Sequence, residues 1–198
     1  MGLLATLQTL KSDESLMLAY QAGKLSSFEV LYNRHKDSLY RFFKYHCAAN
    51  NPGTAHAEDL AQDTWAAIIN RVEHYQASAK FKTYLFTVAR NKLIDFYRRY
   101  GHLENHCDSF DDEAIDSDRQ YRKSEPSEQE QHLHQQQLLQ QLDKLPIDQK
   151  QAFILKEEGF SLEEIASISD VNTETIKSRL RYARTRLKQL LTAAEVQL

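Results

Sequence analysis

Residues 159–184 constrain the fold more than any other stretch, because they have the pattern of two short helices joined by a tight turn. Ser161 and Glu164 have the spacing of a capping box, in which each side chain satisfies a backbone N–H at the start of a helix. Residues 170–172 interrupt this helix, and apolar residues recur from Thr173 onward at intervals of three and four. The stretch therefore predicts a helix-turn-helix.

The second helix of this pair is predicted to have an apolar inner face and a polar outer face. The outer face carries side chains that donate to phosphates and base edges, as the DNA-reading helix of a helix-turn-helix requires. An ordinary helical hairpin with a solvated basic face is the alternative for this stretch alone. The inner face consists of Ile176, Leu180, Ala183 and Leu187, and the outer face of Glu174, Thr175, Lys177, Ser178, Arg181, Tyr182 and Arg184.

The composition indicates a soluble, mostly helical protein that acts in the cytoplasm. The chain has 198 residues, enough for one large domain or two small ones, and only five Gly and three Pro. Its apolar runs are too short to span a bilayer, and its first residues lack the basic region of a signal peptide. Cys47 and Cys107 cannot form a disulfide framework and fit a reducing compartment.

The net charge of −3 conceals an uneven distribution. Residues 1–100 carry 13 Lys and Arg against 9 Asp and Glu, whereas residues 101–130 carry 3 against 10. Residues 103–130 lack periodicity and are too polar to bury a core, so they are predicted to form an acidic flexible linker. The chain alone is expected to bind DNA weakly, because affinity rises with the number of phosphates neutralised. Ordinary solvated charge explains the total but not this segregation.

Helical periodicity recurs on both sides of the linker, so the predicted fold class is all-α, with two small helical domains. A polar loop at 74–80 separates the third and fourth helices. After the linker, a helical pattern resumes near Glu128, Pro146 starts another helix, and residues 192–198 are predicted to fray. The first four helices are predicted at about Ser12–Gly23, from Ser26, from Ala57, and from Lys82 to about Tyr100.

The third helix is predicted to present an acidic face. Glu58, Asp59 and Asp63 are placed in its opening turn, where carboxylates suit the positive end of the helix dipole. Asp59, Gln62 and Asp63 also share a face, so an acidic protein-binding patch is a competing interpretation.

The fourth helix combines basic and aromatic side chains in a pattern typical of single-stranded nucleic-acid binding, with charges for the backbone and rings for splayed bases. A solvated amphipathic helix is the alternative interpretation. The polar residues are Lys82, Arg90, Asn91, Lys92, Asp95, Arg98 and Arg99, and the aromatic residues are Tyr84, Phe86 and Tyr97.

Motifs on both sides of the linker resemble those of bacterial RNA polymerase sigma factors of the small extracytoplasmic-function (ECF) group. The first half is similar to sigma domain two at residues 57–65, AEDLAQDTW, and 81–95, FKTYLFTVARNKLID. The second half is similar to sigma domain four at residues 142–146, LDKLP, 160–166, FSLEEIA, and 175–184, TIKSRLRYAR. Either half alone is moderately specific, and both in this order around an acidic linker make the resemblance strong.

The resemblance implies a promoter-specificity factor without catalysis or a cofactor of its own, which also assists promoter melting for a stress- or envelope-type regulon. Sigma domain two would be residues 1–102 and would bind core polymerase and the −10 element. Sigma domain four would be residues 131–198 and would bind the −35 element. The implied partners are the clamp of the largest polymerase subunit, the flap of the second-largest subunit, promoter DNA and an anti-sigma factor, with no direct membrane insertion.

The resemblance also implies three groups of site residues. The group implied to bind core polymerase is Glu58, Asp59, Gln62 and Asp63. The group implied to bind the −10 element is Lys80, Lys82, Arg90, Asn91, Asp95 and Arg98. The group implied to bind the −35 element is Thr173, Glu174, Thr175, Lys177, Ser178, Arg181 and Arg184.

Two other classes of function stay open on the sequence alone. An autonomous helix-turn-helix regulator would need an N-terminal sensing or oligomerisation domain, with an apolar pocket or dimer face in residues 1–100. An enzyme or metalloprotein would use the His and Cys residues, but neither of their two groups has zinc-finger or metalloprotease spacing, so no metal is predicted. These groups are His46 with Cys47, and His102 with His106 and Cys107.

Overall fold

The computed structural model describes residues 11–47, 54–99 and 139–195, and within these ranges every regular element is helical. The predicted linker lies outside them. No helix in the described ranges is long and apolar enough to cross a membrane. The α-helices are α1 (Asp13–Gln21), α2 (Leu25–Cys47), α3 (Thr54–Asn70), α4 (Phe81–Arg99), α5 (Ile147–Glu157), α6 (Leu162–Ser169) and α7 (Thr173–Glu195), with a 3₁₀ turn at Val72–His74 and a helical turn at 139–142.

Helices α1 to α4 form the N-terminal unit, in which α1 holds the start of α4 in place. The Ser12 hydroxyl accepts a hydrogen bond from the N–H of Ser15 at 3.2 Å and caps α1, as predicted. Gly23 follows the helix with φ of 90°, a conformation open to glycine because it has no Cβ. Glu14 accepts a bond from the N–H of Phe81 at 2.8 Å. This contact satisfies a backbone donor at the first residue of α4.

Helices α5 to α7, with the turn at 139–142, form the C-terminal unit. Pro146 stands at the N-cap of α5, as predicted, where its missing N–H leaves no hydrogen bond unmade. Asp148 in the first turn of α5 accepts a bond from Arg179 of α7 at 2.7 Å. A small apolar cluster ties the 139–142 turn to α7 through Leu142, Leu145, Ala183 and Leu187.

One apolar core runs through both units. Phe42 on α2 and Phe86 on α4 are fully buried, and their ring centroids lie 5.4 Å apart. Phe86 also contacts the ring of Phe160, between α5 and α6, with centroids 4.9 Å apart. Full burial of an aromatic side chain of this size contributes about 1.5–3 kcal/mol. The two units are therefore joined by direct packing in addition to the chain between them.

The predicted start of the third helix is wrong. α3 begins at Thr54, earlier than the predicted Ala57, and its first turn contains no acidic residue. Glu58, Asp59 and Asp63 therefore lie beyond the first turn. The dipole explanation for these three carboxylates fails, because the effect falls off within one turn of the helix end.

The C-terminal helix is longer than predicted. α7 runs to Glu195, so the fraying expected from residue 192 is wrong over 192–195, while residues 196–198 lie outside the described ranges. Its buried face extends to Leu187, which packs in the cluster with Leu142 and Leu145. This packing supports the second half of the helix, where intrinsic helix propensity alone would be marginal.

Candidate nucleic-acid interface

The turn between α6 and α7 is built from local contacts. Ser161 accepts a bond from the N–H of Glu164 at 3.2 Å, and Glu164 accepts one from the N–H of Ser161 at 2.8 Å, which completes the predicted capping box. Asp170 ends α6 with φ of 54° and ψ of 48°, a left-handed conformation in which Asp is enriched. The N–H of Val171 donates to the carbonyl of Ala166 at 3.1 Å. The predicted helix-turn-helix is present.

Asn172 caps the start of α7. Its side-chain oxygen accepts a bond from the N–H of Thr175 at 2.8 Å and another from the hydroxyl of the same residue at 2.9 Å. The first bond satisfies an N–H that has no partner within the helix. The predicted inner face is buried, with exposures of 5% or less at Ile176, Leu180, Ala183 and Leu187.

The outer face of α7 is open to solvent. It exposes Lys177, Arg181 and Arg184, while Thr173, Thr175 and Ser178 are partly exposed. Nζ of Lys177 lies 2.7 Å from a carboxylate oxygen of Glu174, and this hydrogen bond raises the pKa of the lysine. The guanidinium of Arg181 stacks on the neighbouring Tyr182, 5.0 Å from the ring centroid. All seven residues predicted for the −35 element therefore lie outside the buried face of one helix.

The residues predicted for the −10 element divide into two groups in the structure. Asn91, Asp95 and Arg98 are exposed along the middle and end of α4. A salt bridge of 3.7 Å joins Arg98 to Asp95. Solvent-exposed pairs of this kind contribute little to stability and can exchange partners when a ligand binds.

Lys80 and Lys82, at the start of α4, instead contact the C-terminal unit. Nζ of Lys80 lies 2.9 Å from a carboxylate oxygen of Glu164. Nζ of Lys82 donates to the backbone carbonyl of Glu158 at 2.6 Å and lies 4.4 Å from the ring centroid of Phe160. Both ammonium groups therefore have protein partners where DNA phosphates are predicted.

Arg90 also lies at the interface between the two units. It is partly buried, and burial lowers the pKa of its guanidinium, although Asp148 and Asp170 act in the opposite direction. Arg179 adds to the lowering by charge repulsion. All three charged neighbours belong to the C-terminal unit, so this side of α4 faces α5 to α7.

Sequence reasoning missed Arg41 and Glu158, whose ion pair joins the N-terminal unit to the C-terminal unit. Nε and Nη2 of Arg41, on α2, donate to the two carboxylate oxygens of Glu158, each at 2.9 Å. The Glu158 side chain is only 8% exposed, and its hydrogen bond raises the pKa of Arg41. The two residues are 117 positions apart, so no local pattern in the sequence could pair them.

The prediction that Phe86 and Tyr97 receive splayed bases is wrong. Phe86 is fully buried in the core. Tyr97 is 8% exposed, and its hydroxyl donates to the backbone carbonyl of His46 at 3.1 Å. Tyr84 is half-buried, with its ring centroid 5.4 Å from that of Tyr75. These rings support α4, and only Tyr84 reaches the surface.

The acidic residues of α3 form an exposed surface. Glu58, Asp59, Gln62 and Asp63 are all exposed, whereas Leu60 between them is buried. Their side chains therefore point away from the core along two turns of the helix. This arrangement agrees with the protein-binding interpretation and not with a capping role.

His46 and Cys47 are buried at the end of α2. Burial raises the pKa of the Cys47 thiol to about 11, which keeps it protonated and unreactive at neutral pH. Burial, with the nearby Lys150, lowers the pKa of His46. Within the described ranges no group of three or more His, Cys, Asp or Glu could hold a metal ion. The second predicted group, His102, His106 and Cys107, lies outside those ranges.

Known proteins match this chain in both units. Sigma-70 region 2 matches residues 31–102, and sigma-70 region 4 matches residues 135–187. The ECF RNA polymerase sigma factor EcfG of Rhodopseudomonas palustris is 35% identical over 138 residues, which cover 68% of this chain and 71% of EcfG. The chain belongs to the ECF group of RNA polymerase sigma factors. The sigma factor CarQ of Myxococcus xanthus is 28% identical over 91% of this chain and 98% of its own length.

Two solved structures share the fold of this sigma factor. RpoE of Bartonella quintana, in complex with the anti-sigma factor NepR, has a TM-score of 0.62 and 28% identity over 83% of this chain and 96% of RpoE. CnrH, in complex with the cytosolic domain of CnrY, has a TM-score of 0.68 and 21% identity over 92% of this chain and 99% of CnrH. The second match is a likeness of fold alone.

Membership of this group confirms the predicted family, the all-α fold and the role of a promoter-specificity factor in transcription initiation. This membership removes the alternative interpretation of the chain as an autonomous helix-turn-helix regulator. The assignment of individual residues to polymerase, the −10 element and the −35 element stays a prediction, as do the domain boundaries.

Replacing Asn172 with Ala should destabilise the C-terminal unit, because the side-chain oxygen that accepts two bonds at the start of α7 is lost. We expect the free energy of unfolding to fall by about 1 kcal/mol, measured by urea unfolding followed by circular dichroism. Asn172→Asp keeps an N-cap acceptor and should be close to wild type. Equal stability of the Ala variant and wild type would contradict the capping role.

Proposed function

We propose that this sigma factor selects promoters through two DNA-binding faces and docks on core polymerase through the acidic face of α3. The observation that carries the proposal is the exposed polar side of α7, which is mounted on a buried helix-turn-helix. Residues 1–102 act as sigma domain two and residues 131–198 as sigma domain four, joined by the acidic linker at 103–130. No step in this role requires catalysis or a cofactor.

The start of α7 reads the −35 element in the major groove. A helix fits this groove, and Lys and Arg side chains can donate to the acceptor atoms of guanine there. Lys177 and Arg181 lie where a recognition helix presents its base-reading residues, and Arg184 lies further from the start of the helix. Thr173, Glu174, Thr175 and Ser178 supply shorter polar contacts around them.

The acidic face of α3 binds a basic surface of the polymerase clamp. Glu58, Asp59, Gln62 and Asp63 are exposed together, and complementary charge steers encounter and fixes the docked orientation. The flap of the second-largest subunit is the expected contact of the C-terminal unit. Two separate attachments would hold both DNA-binding faces on the same polymerase.

The exposed side of α4 binds the −10 element once the strands separate. An unpaired base has lost its stacking partners, so its pocket must supply hydrogen bonds and shape in addition to charge. Asn91 and Asp95 offer such hydrogen bonds, and Arg98 offers charge for the backbone. Lys80, Lys82 and Arg90 extend this surface toward the start of the helix.

An anti-sigma factor is the expected regulator of this chain. RpoE of Bartonella quintana, with 28% identity, is seen bound to the anti-sigma factor NepR. A factor with exposed docking and DNA-reading faces has to be restrained when its regulon is not needed. The whole cycle is expected to take place in the cytoplasm, where polymerase and DNA are.

Reversing one charge on α3 tests the docking face. Asp63→Lys places a cation against the basic clamp, and we expect affinity for core polymerase to fall about tenfold in fluorescence anisotropy with labelled sigma factor. Run-off transcription with core should fall in parallel at limiting sigma concentration.

Glu73→Lys is the matched control, since this exposed residue of the 3₁₀ turn undergoes the same change of charge away from the α3 face. Its affinity for core should match wild type. Equal losses in the two variants would show a general effect of charge and remove the docking assignment. Specific promoter binding by the chain alone, unchanged by core, would contradict the sigma mechanism altogether.

The two kinds of cation on α7 should behave differently. Lys177→Ala should cost about 1–3 kcal/mol at promoters whose base it reads and should relax discrimination at one position of the −35 element. Arg184→Ala should weaken all promoters alike and lower the slope of log affinity against log salt by about one, because it removes one phosphate contact.

The measurement is initiation by the assembled holoenzyme on a library of −35 sequences at several salt concentrations. Sequencing of the transcripts gives the preference at each position of the element. A uniform loss across the library in both variants would remove Lys177 from the base-reading role.

A further inference from the structure

We propose that Glu14 and Gln21 of α1 are positioning residues for the −10 element, because they fix the two ends of the loop that leads into α4. This loop, which we call the α4 loop, consists of residues 75–80 and has exposed residues in its middle. The inference rests on the proposed role of the exposed side of α4 in binding the unpaired −10 strand. It gives α1 a part in promoter melting, although α1 carries none of the residues predicted to bind DNA.

The α4 loop lies at the head of the face of α4 that is proposed to bind the −10 strand. Lys80 ends the loop, and its carbonyl accepts a bond from the N–H of Tyr84 at 3.1 Å, so the helical bonding pattern begins there. Lys80 is 74% exposed and pairs with Glu164, so this end of the face is open to solvent. Residues three and four apart lie on the same face of a helix. A stripe at such intervals, each member at least partly exposed, joins the loop to the end of the helix and consists of Lys80, Tyr84, Thr87, Asn91 and Arg98.

Gln21 holds the first end of the α4 loop. Its side-chain nitrogen Nε2 donates to the backbone carbonyls of Val72 and Glu73, each at 3.0 Å, and lies 3.4 Å from the carbonyl of Tyr75. The last carbonyls of a helical turn have no partner within the turn, so the amide satisfies groups that the 3₁₀ turn leaves open. Gln21 is exposed and lies 51 to 54 residues earlier in the chain than these carbonyls. Its bonds therefore fix tertiary structure at the point where the loop begins.

Glu14 holds the other end of the α4 loop. Its Oε1 accepts a bond from the N–H of Phe81, the first residue of α4, at 2.8 Å. Burial acts to raise the pKa of Glu14, but this bond and its neighbours outweigh burial, so the pKa is lowered and the carboxylate is ionised at neutral pH. Glu14 and Gln21 share one face of α1, about 10.5 Å apart along its axis. One short helix therefore holds both ends of the loop at a set separation.

Tyr75, the first residue of the α4 loop, anchors the loop to the core. Its side chain is 5% exposed, and its ring centroid lies 6.2 Å from that of Phe81 and 5.4 Å from that of Tyr84. Burial raises the pKa of Tyr75 to about 12, so the hydroxyl is protonated at neutral pH. Its N–H donates to the carbonyl of Val72 at 3.1 Å. The ring, the 3₁₀ turn and Gln21 together set the path of the loop.

The middle of the α4 loop is exposed between these two ends. Gln76 and Ser78 each offer a donor and an acceptor, and the small side chains of Ala77 and Ala79 leave the backbone approachable. An unpaired base needs matching hydrogen bonds and shape from the site that receives it. A loop that is fixed before binding loses less conformational freedom when the base arrives. In this way α1 favours capture of the base without contacting it.

A positioning role and a purely structural role of Gln21 predict different results. If Gln21 only stabilised the fold, its loss would lower initiation from every template in proportion to the folded fraction. If Gln21 positions the α4 loop, its loss would impair strand opening, because capture of an unpaired base holds the strands apart. A promoter whose −10 region is already mismatched does not need that step. Duplex and pre-melted templates therefore separate the two roles.

The test uses holoenzyme assembled from core polymerase and the full-length chain, at saturating concentration, on a promoter from which the wild-type holoenzyme initiates. Gln21→Glu keeps the length of the side chain, but a carboxylate cannot donate to the three carbonyls. The matched control is Asn33→Asp, which makes the same change from amide to carboxylate at an exposed position of α2. Each variant is assayed on the duplex promoter and on the same promoter with a mismatched bubble over the −10 element.

We expect Gln21→Glu to initiate about fivefold less than Asn33→Asp from the duplex promoter, which is the effect of about one lost hydrogen bond. From the bubble template the two variants should initiate equally. Circular dichroism should show both chains folded at the assay temperature. Equal initiation by the two variants from the duplex would overturn the proposal, and so would the same loss on both templates.

Glu14 provides a second comparison. Glu14→Ala removes the acceptor for the N–H of Phe81, whereas Glu14→Gln keeps a side-chain oxygen at the same reach. We expect the Ala variant to lose initiation from the duplex and not from the bubble, and the Gln variant to initiate as wild type does. Equal losses in the two variants would overturn the assignment of Glu14.

Substitutions on α4 itself separate this inference from the proposed function. Asn91 and Arg98 lie along α4 beyond the α4 loop. Loss of initiation from the duplex in Asn91→Ala and Arg98→Ala supports the −10 face whatever the α1 variants do. Normal initiation in both removes the −10 assignment of α4, and the template comparison for Gln21 then decides on the α4 loop alone.

Discussion

The joint between the two units depends on the packing of one ring, that of Phe160. It contacts Phe86 in the core and lies beside the ammonium of Lys82, so a single residue links the apolar interior to the charged rim. Glu158 and Glu164 flank it and reach their cationic partners while the ring holds the segment in place. The ring is buried in the common core, and the ion pairs lie around it.

This joint makes the two proposed DNA-binding faces unequal. The face of α7 that we propose for duplex DNA is exposed and is supported by a capped turn. The proposed face of α4 is exposed from Asn91 onward, whereas Lys82 near the start of the helix is partly buried and contacts Glu158 of the C-terminal unit. In the proposed function, the clamp and the flap hold the two units at separate attachments, which would move the units apart on the polymerase.

The helix-turn-helix could be predicted almost to the residue, because the capping box at Ser161 and the apolar spacing of α7 are local properties of the sequence. The exposed acidic face of α3 could be predicted as well, although the reason first given for it, the helix dipole, was wrong. The joint could not be predicted, because Arg41 and Glu158 are 117 residues apart. Helical periodicity also predicts the wrong environment for Phe86. An amphipathic helix is expected to bury one face, but α4 packs on both α3 and α6, and Phe86 is buried.

The most direct test of this account is the distance between the two units in solution. Spin labels at Ala79→Cys and Glu163→Cys, both exposed positions beside the Lys80–Glu164 contact, report that distance by double electron–electron resonance once Cys47 and Cys107 are replaced by Ala. The free chain should give one narrow distribution at short distance, and core polymerase should move it to a longer distance. A broad, long distribution in the free chain that core polymerase leaves unchanged would contradict the direct packing of the two units.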